Sequence, residues 1–369
     1  MTTRLMPAFR TPLCDRLGIS VPVFSFAHSL EVTAAVSLAG GFGVYGATHD
    51  EPHAILEKAR ELKEMCKGRP FGLDILLPQV TVDKDDKAAA EAEIPAEHKA
   101  FIAHLRDKYQ VPPATKGHLF VNHVRSQELF AAQADAVINS GANLFAMAVG
   151  TPADVVARAK AAGQLTLSLI GSPRHAARVK ATGVDLLVAQ GYDAGAHTGT
   201  VGTLSLVPQV VDIVGDLPVI AAGGIATGRQ IAAALALGAQ GVWTGTIWLG
   251  TQEHAVDKIV ADRLIAAGSE DTVISRSWSG KTLRMLRTAW SDEWAAPGAP
   301  AALKMPYQQV LVGEIMAAVK EHRIAPLLWE AAGQSVAYVR EISSVEDTMR
   351  RLIAETEEAL ARLSAFRSA

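Results

Sequence analysis

Between Asp185 and Leu249 the chain gathers residue types that can do chemistry. The run Gln190-Gly191-Tyr192-Asp193-Ala194-Gly195-Ala196-His197-Thr198-Gly199 sets one histidine in a glycine-rich loop. Two glycine turns follow, Gly223-Gly224-Ile225 and Gly245-Thr246. Histidine titrates near neutral pH, so His197 suits a general base, a general acid or an anion partner. Asp193 stands either to orient that imidazole or to cap a turn. Glycine lets backbone N–H groups reach phosphate oxygens with no Cβ in the way, and a helix N-terminus behind them adds a favourable dipole. On that ground Gly223 and Gly224 form one half of a phosphate cradle. Gly245 and Thr246, whose hydroxyl can donate, form the other.

These stretches must be brought to one place by the elements around them. Short β-branched runs predict strands at Val21–Phe26, Gly43–Tyr45, Phe71–Leu76, Leu144–Ala148, Leu165–Leu169, Asp185–Ala189, Pro218–Ala222 and Gly241–Thr244. Ala-rich helical stretches separate them, among them Leu30–Ala39, Pro52–Met65, Gln127–Ser140, Pro152–Ala162, Pro173–Ala181, Val207–Val214 and Gly228–Leu237. Repeated βα units give a parallel sheet with right-handed crossovers, and eight of them close a (β/α)8 TIM barrel. A doubly wound open sheet is the alternative, and it would carry its nucleotide fingerprint at the first turn. In the barrel the sixth, seventh and eighth strand ends share the C-terminal face, where active sites are built.

Two regions depart from the repeat. Residues Gln79 to His118, after the third strand, are polar and charged, and read equally as an inserted lid or a solvated excursion. From about Leu264 the spacing is helical, with Met305–Glu321, Pro326–Ala332 and Val345–Leu363 amphipathic. The expected organisation is a barrel over residues 1–265 and a helical lobe over 266–369 that covers the barrel mouth.

Three tempting motifs fail on context. Gly41-Phe42-Gly43-Val44-Tyr45-Gly46 matches GxGxxG, but a helix precedes it and a strand runs through it, so it reads as an αβ turn. Gly280-Lys281-Thr282 ends like a P-loop but has serine at position 275, where that loop needs glycine. In His49-Asp50-Glu51-Pro52-His53, Asp50 reads as a helix N-cap rather than a metal ligand, and no other spacing suggests a metal.

Composition excludes several classes. The 369 residues are 49% hydrophobic and 20% charged, with a net charge of −3 and no basic stripe, which argues against nucleic acid and for a small-molecule substrate. Two cysteines, Cys14 and Cys66, form no framework. No apolar run nears the roughly 18 residues of a membrane span, and Met1 to Leu17 lacks the apolar run of a signal peptide. These features lead us to expect a cytoplasmic protein, with a homodimer as the default assembly.

The loop from Gln190 to Gly199 resembles the signature loop of nitronate monooxygenases, typically AQGxEAGGHxG. Gly223-Gly224-Ile225 and Gly245-Thr246 resemble the family's FMN-phosphate loops, and Ala34 to Gly43 and Ala332-Gly333-Gln334-Ser335 extend the likeness. The resemblance implies FMN at the C-terminal mouth, its phosphate on Gly223, Gly224, Gly245 and Thr246. It further implies Gln190, with Gly191 and Gly195 of the same loop, against the flavin, and His197 above the ring facing the substrate. A nitroalkane would lose its α-proton to His197, whereas a nitronate would be positioned by it. O2 then completes conversion to a carbonyl compound and nitrite.

The chain also departs from that pattern. Ala196 replaces a loop glycine and Asp193 a glutamate. The turn after strand one, Val23-Phe24-Ser25-Phe26-Ala27-His28, has no glycine, which leaves Ser25 as the polar side chain expected at the cofactor there. Asp74 stands where the family often has asparagine, and a carboxylate near the ring would disfavour an anionic flavin. The same barrel also serves NAD(P)H-dependent quinone reductases and enoyl-thioester reductases. The latter would need cations such as Arg276, Lys281, Arg284 and Arg287, which otherwise read as a solvated face. A non-redox phosphate-binding barrel enzyme is the remaining class, and a Schiff-base aldolase is disfavoured because no lysine stands at a strand end.

Overall fold

Successive side chains of a strand point to opposite faces, and here both faces are apolar, as strands buried on two sides require. The computed structural model describes residues 9–116 and 119–366. In it the parallel strands β1 (Val23–Ala27), β2 (Phe42–Gly46), β3 (Phe71–Leu76), β4 (Leu144–Ala148), β5 (Leu165–Ile170) and β6 (Leu186–Gln190) are followed by a two-residue strand, β7 (Ala196–His197), outside the barrel. β8 (Val219–Ala222) and β9 (Gly241–Thr244) complete the ring, and β9 pairs back onto β1 through Phe24 and Trp243. The chain is therefore a closed eight-stranded (β/α)8 barrel.

Phe24, Phe42, Leu144, Leu167, Val188 and Ile220 fill the barrel interior. Their strand neighbours, such as Val23, Leu73, Phe145 and Val242, face the helices and join the larger core. The N-terminal end is plugged by a helix, Pro12–Leu17, that the sequence pattern did not predict. Leu13, Cys14 and Leu17 extend the interior cluster, and Thr11 and Arg16 bond to Gln240 and Asp185, just before β9 and β6. Asp50 does not cap the helix Pro52–Met65. Glu51 holds that position, and Asp50 instead accepts from Tyr45 Oη at 2.8 Å and Lys58 Nζ at 2.6 Å.

A second core gathers Trp290, Val312, Met316, Leu327 and Val336. The inserted segment belongs to it: its helices Lys87–Ala92 and Ala96–Lys108 precede Val111, and Leu105 and Val111 pack into this cluster. The segment's last two residues, 117 and 118, lie outside the described residues, as do residues 1–8 at the start of the chain. The tail is not wholly helical. β10 (Thr272–Ser275) and β11 (Leu283–Leu286) pair antiparallel, and β11 also pairs with β7. Four-residue strands with arginine at position 284 give no readable alternation. Pro326–Ala332 is not a helix but a single turn, Ala325–Leu327, followed by backbone whose Glu330 carbonyl accepts from Leu286 N–H at 3.0 Å. Among the described residues no helix is long and apolar enough to cross a membrane.

The last helix, Val345–Ala365, returns to the barrel and packs on the helices Gly228–Ala236 and Leu30–Leu38. Val345, Met349 and Leu352 enter the barrel core, and Glu355 Oε2 accepts from Gly228 N at 2.8 Å. A Cβ at Gly228 would lie 2.1 Å from Thr356 N, a clash with backbone that no rotamer relieves. Gly228→Ala is therefore expected to lower unfolding stability by about 2 kcal/mol through overpacking. Urea denaturation checks this, and an unchanged midpoint would mean the helix is not seated as described.

Candidate active site

The C-terminal strand ends open into a cavity of about 1320 Å³. A single ligand pocket usually holds about 300–1,000 Å³, so this one has room for a cofactor and a sizeable substrate together. Its floor is built from the barrel by Phe26, Asp74, Gln190 and Trp243, and its far wall from the second core by Trp278, Met316 and Trp329. Both ends of the inserted segment, Gln79 and Lys116, also reach it.

His197 is positioned by backbone and by a partner distant in sequence. As half of β7 it lies opposite Leu283 of β11. Its Nε2 is 2.7 Å from Ser279 Oγ, and its carbonyl accepts from Gln190 Nε2 at 2.8 Å. Arg284 pins the loop by donating to Tyr192 O at 3.2 and 3.1 Å. Burial, then the positive charges of Arg125 and Lys281, hold the His197 imidazole down to about 3, so it is neutral at physiological pH.

Gly223 and Gly224 both have left-handed backbone, with φ of 100° and 72°. A Cβ at Gly223 would lie 2.9 Å from Thr203 Oγ1, and one at Gly224 3.0 Å from Asp193 Cβ. Beside Gly245 the space is open, the nearest atom being Phe26 O at 3.9 Å. Thr246 Oγ1 accepts from Gly333 N at 2.9 Å, which leaves its proton to donate. Gln334 N in turn donates to Asp193 O at 2.9 Å, so one short backbone segment ties the histidine loop to the second glycine turn. This cradle fits a phosphate. The expected helix dipole behind Gly224 is not free, however. The helix Gly228–Ala236 closes its own N-terminus with a Thr227–Gln230 capping box and with Glu355.

Most of the residues expected at the cofactor meet here: Gln190, Gly195, Gly223, Gly224, Gly245, Thr246 and Asp74 line the cavity, as does His197. Two do not. Ser25 alternates with Phe24 and Phe26, so its wholly buried hydroxyl turns outward and Phe26 lines the cavity instead. Gly191 packs against the next helix, where a Cβ would lie 2.1 Å from Thr203 Oγ1. Asp193 resolves to a capping role, accepting from Thr203 N at 2.8 Å. Arg276, Lys281, Arg284 and Arg287 do not line the cavity. Its cations are Lys116, Arg125, Arg178, Lys320 and Arg323.

Sequence reasoning missed Arg125, Ser279 and a group of histidines, His28, His49 and His254, that line the same cavity. A single arginine in the polar stretch Asn122-His123-Val124-Arg125-Ser126-Gln127 carries no local signal, but histidines after strands one and two in a barrel could have been found by position alone. Burial pushes the Arg125 guanidinium down to about 9 and His254 down to about 4, the latter with help from His28 and Lys320. Burial also raises the Asp74 and Glu330 carboxyls. Asp74 and Glu330 thus tend to neutrality, whereas Arg323 holds Asp257 ionised and Thr115 holds Glu321 ionised. With Arg125 charged near pH 7, the inner part of the cavity suits an anionic occupant. Among the described residues no cluster fits a metal ion.

The nitronate monooxygenase family profile matches residues 14–355. The chain is 42% identical over 347 residues to a Mycobacterium tuberculosis protein provisionally named a monooxygenase, covering 91% of this chain and 89% of that one. It is 30% identical over 290 residues to the (3aS,4S,5R,7aS)-5-hydroxy-7a-methyl-1-oxo-octahydro-1H-indene-4-carboxyl-CoA dehydrogenase of Rhodococcus jostii, covering 77% and 67%. Among solved structures it is similar to a nitroalkane oxidase from Streptomyces ansochromogenes, with TM-score 0.80, 28% identity and coverage of 95% and 99%.

Ala196 holds a left-handed φ of 60°, a conformation that costs a non-glycine residue about 1 kcal/mol or more. Ala196→Gly is expected to raise unfolding stability by up to about 1 kcal/mol, net of glycine's own entropy, and to leave His197 in place. Thermal denaturation checks it, and a clear loss of stability would contradict the loop geometry.

Proposed function

The chain belongs to the nitronate monooxygenase family, and we propose that this flavin-dependent oxidoreductase binds FMN and oxidises a nitronate with O2 to a carbonyl compound and nitrite. The observation that carries the reading is a neutral His197 beside a buried cation, Arg125, in one cavity with the glycine cradle. Gly223, Gly224, Gly245 and Thr246 would hold the FMN phosphate, with Gln190 and Asp74 on the ring side. When bound, the flavin supplies redox chemistry that no side chain here offers.

The protein's own part follows from charge. An imidazole held near 3 is a poor base for a carbon-bound proton, which favours a substrate that is already an anion over a nitroalkane. Arg125 supplies positive charge to such an anion. His197 donates to it through Nδ1, with Nε2 accepting from the Ser279 hydroxyl. Trp278, Met316 and Trp329 give the cavity an apolar wall facing the barrel mouth.

A second reading, oxidoreduction of a CoA thioester, is favoured by the size of the cavity and its apolar wall, and by the name of the Rhodococcus relative. It would require reduction of the flavin by NAD(P)H or by the thioester itself.

His197→Asn is expected to cut nitrite release from a nitronate by roughly 10²-fold while flavin stays bound. Near-normal turnover would remove His197 from the chemistry. Gly224→Val should lower FMN retention on gel filtration, because the left-handed backbone is lost and Asp193 obstructs the side chain. Unchanged flavin content would remove the cradle. The profile of kcat/KM against pH reports the free enzyme. His197, depressed to about 3, should give no inflection near its ordinary 6.5, and an inflection there that vanishes in His197→Asn would contradict a neutral imidazole.

A further inference from the structure

The flank of the mouth between β1 and β3 carries His28, which the chemistry above leaves without a task, and Asp74, which it sets on the ring side with no stated bond. His28 Nδ1 lies 2.7 Å from Gly46 O. A carbonyl only accepts, so Nδ1 carries the proton and Nε2 of the neutral ring keeps a lone pair. The ring keeps an exposed surface, which lines the cavity, and the protein around it lowers the imidazole below its usual range and keeps it neutral. Stacking on His49 at 4.6 Å and edge contact with Phe26 at 5.2 Å fix its orientation. The backbone is shaped for it, since a Cβ at Gly46 would lie 2.7 Å from His28 Cε1.

Asp74 stands on the far side of β2, on β3. It pairs in register with Gly46, the residue whose carbonyl holds His28. Adjacent strands lie about 4.8 Å apart. Asp74 is 3% exposed, lines the cavity, and its Oδ2 has no hydrogen-bond partner among the described residues. A carboxyl buried without a partner keeps its proton and can donate it in a hydrogen bond.

We propose that His28 Nε2 and Asp74 form an acceptor–donor pair that reads the imide edge of a flavin ring, where an N–H stands beside a carbonyl. His28 takes the N–H, and Asp74 donates to the carbonyl next to it. The pair rests on the flavin reading above. It makes His28 a binding residue, and it gives Asp74 the donor role of an amide while it remains an acid.

The test is equilibrium binding, followed by flavin fluorescence, of FMN and of FMN methylated at the imide nitrogen. Wild type, His28→Phe, Asp74→Asn and Asp74→Leu are compared after melting curves establish that each is folded. A lost hydrogen bond is worth roughly two- to tenfold in affinity. Wild type should prefer FMN over the methylated flavin by about fivefold, and His28→Phe should lose that preference. Asp74→Asn, which still donates, should bind FMN within about twofold of wild type, whereas Asp74→Leu should fall by about fivefold. The pair is overturned if wild type shows no preference, if His28→Phe keeps it, or if Asp74→Leu binds FMN like wild type. If wild type binds neither flavin, the flavin reading falls and the pair falls with it, an outcome distinct from binding without preference.

Discussion

Pairing of β9 with β1 closes the sheet, and every arrangement at the mouth depends on that closure. It brings the end of β1 against the turn at Gly245, where Phe26 O is the nearest atom to the open side of the glycine. It also sets His197, after the sixth barrel strand, half-way round the ring from the residues after the second. An open sheet would leave the glycine cradle and the His28–Asp74 flank on separate edges. The aromatic contact of Phe24 with Trp243 at 6.3 Å spans the closing seam from inside, and Phe24 stacks on Phe42 of β2 at 5.3 Å on its other side. The final helix braces the same region from outside, because Glu355 and Thr356 seat directly on the start of the helix after β8.

Burial then sets the chemistry. Burial favours the neutral form of four groups here, the imidazoles of His197 and His254 and the carboxyls of Asp74 and Glu330. Arg125, though depressed, remains a cation near neutral pH. The lining carries Lys116, Arg125, Arg178, Lys320 and Arg323 against the ionised carboxylates of Asp257 and Glu321. That environment suits a phosphate at one end and an anionic substrate above the ring, and it explains why an acid can stand at position 74 without repelling either.

Much of this was legible from sequence, for identifiable reasons. The barrel strands are continuous buried runs separated by amphipathic helices, so Phe71–Leu76, Leu144–Ala148 and Gly241–Thr244 appear at the predicted bounds. The two glycine turns were visible because glycine pairs at successive strand ends are unusual. What was hidden depends on register or on distant chain. Ser25 and Phe26 differ by one residue, and only the pleat decides which meets the cavity. Ser279 reaches His197 from 82 positions away. β7, β10 and β11 are too short to read, yet their pairing is what holds the histidine loop. His28 acquires meaning only once Gly46, on another strand, is seen to carry it.

The most direct measurement is the absorbance spectrum of the purified protein, followed by anaerobic mixing with a nitronate, NADH or NADPH in separate cuvettes. The account predicts a bound flavin bleached by the nitronate and left unchanged by either nicotinamide. Fast bleaching by a nicotinamide, or no flavin even after FMN is added, would contradict it.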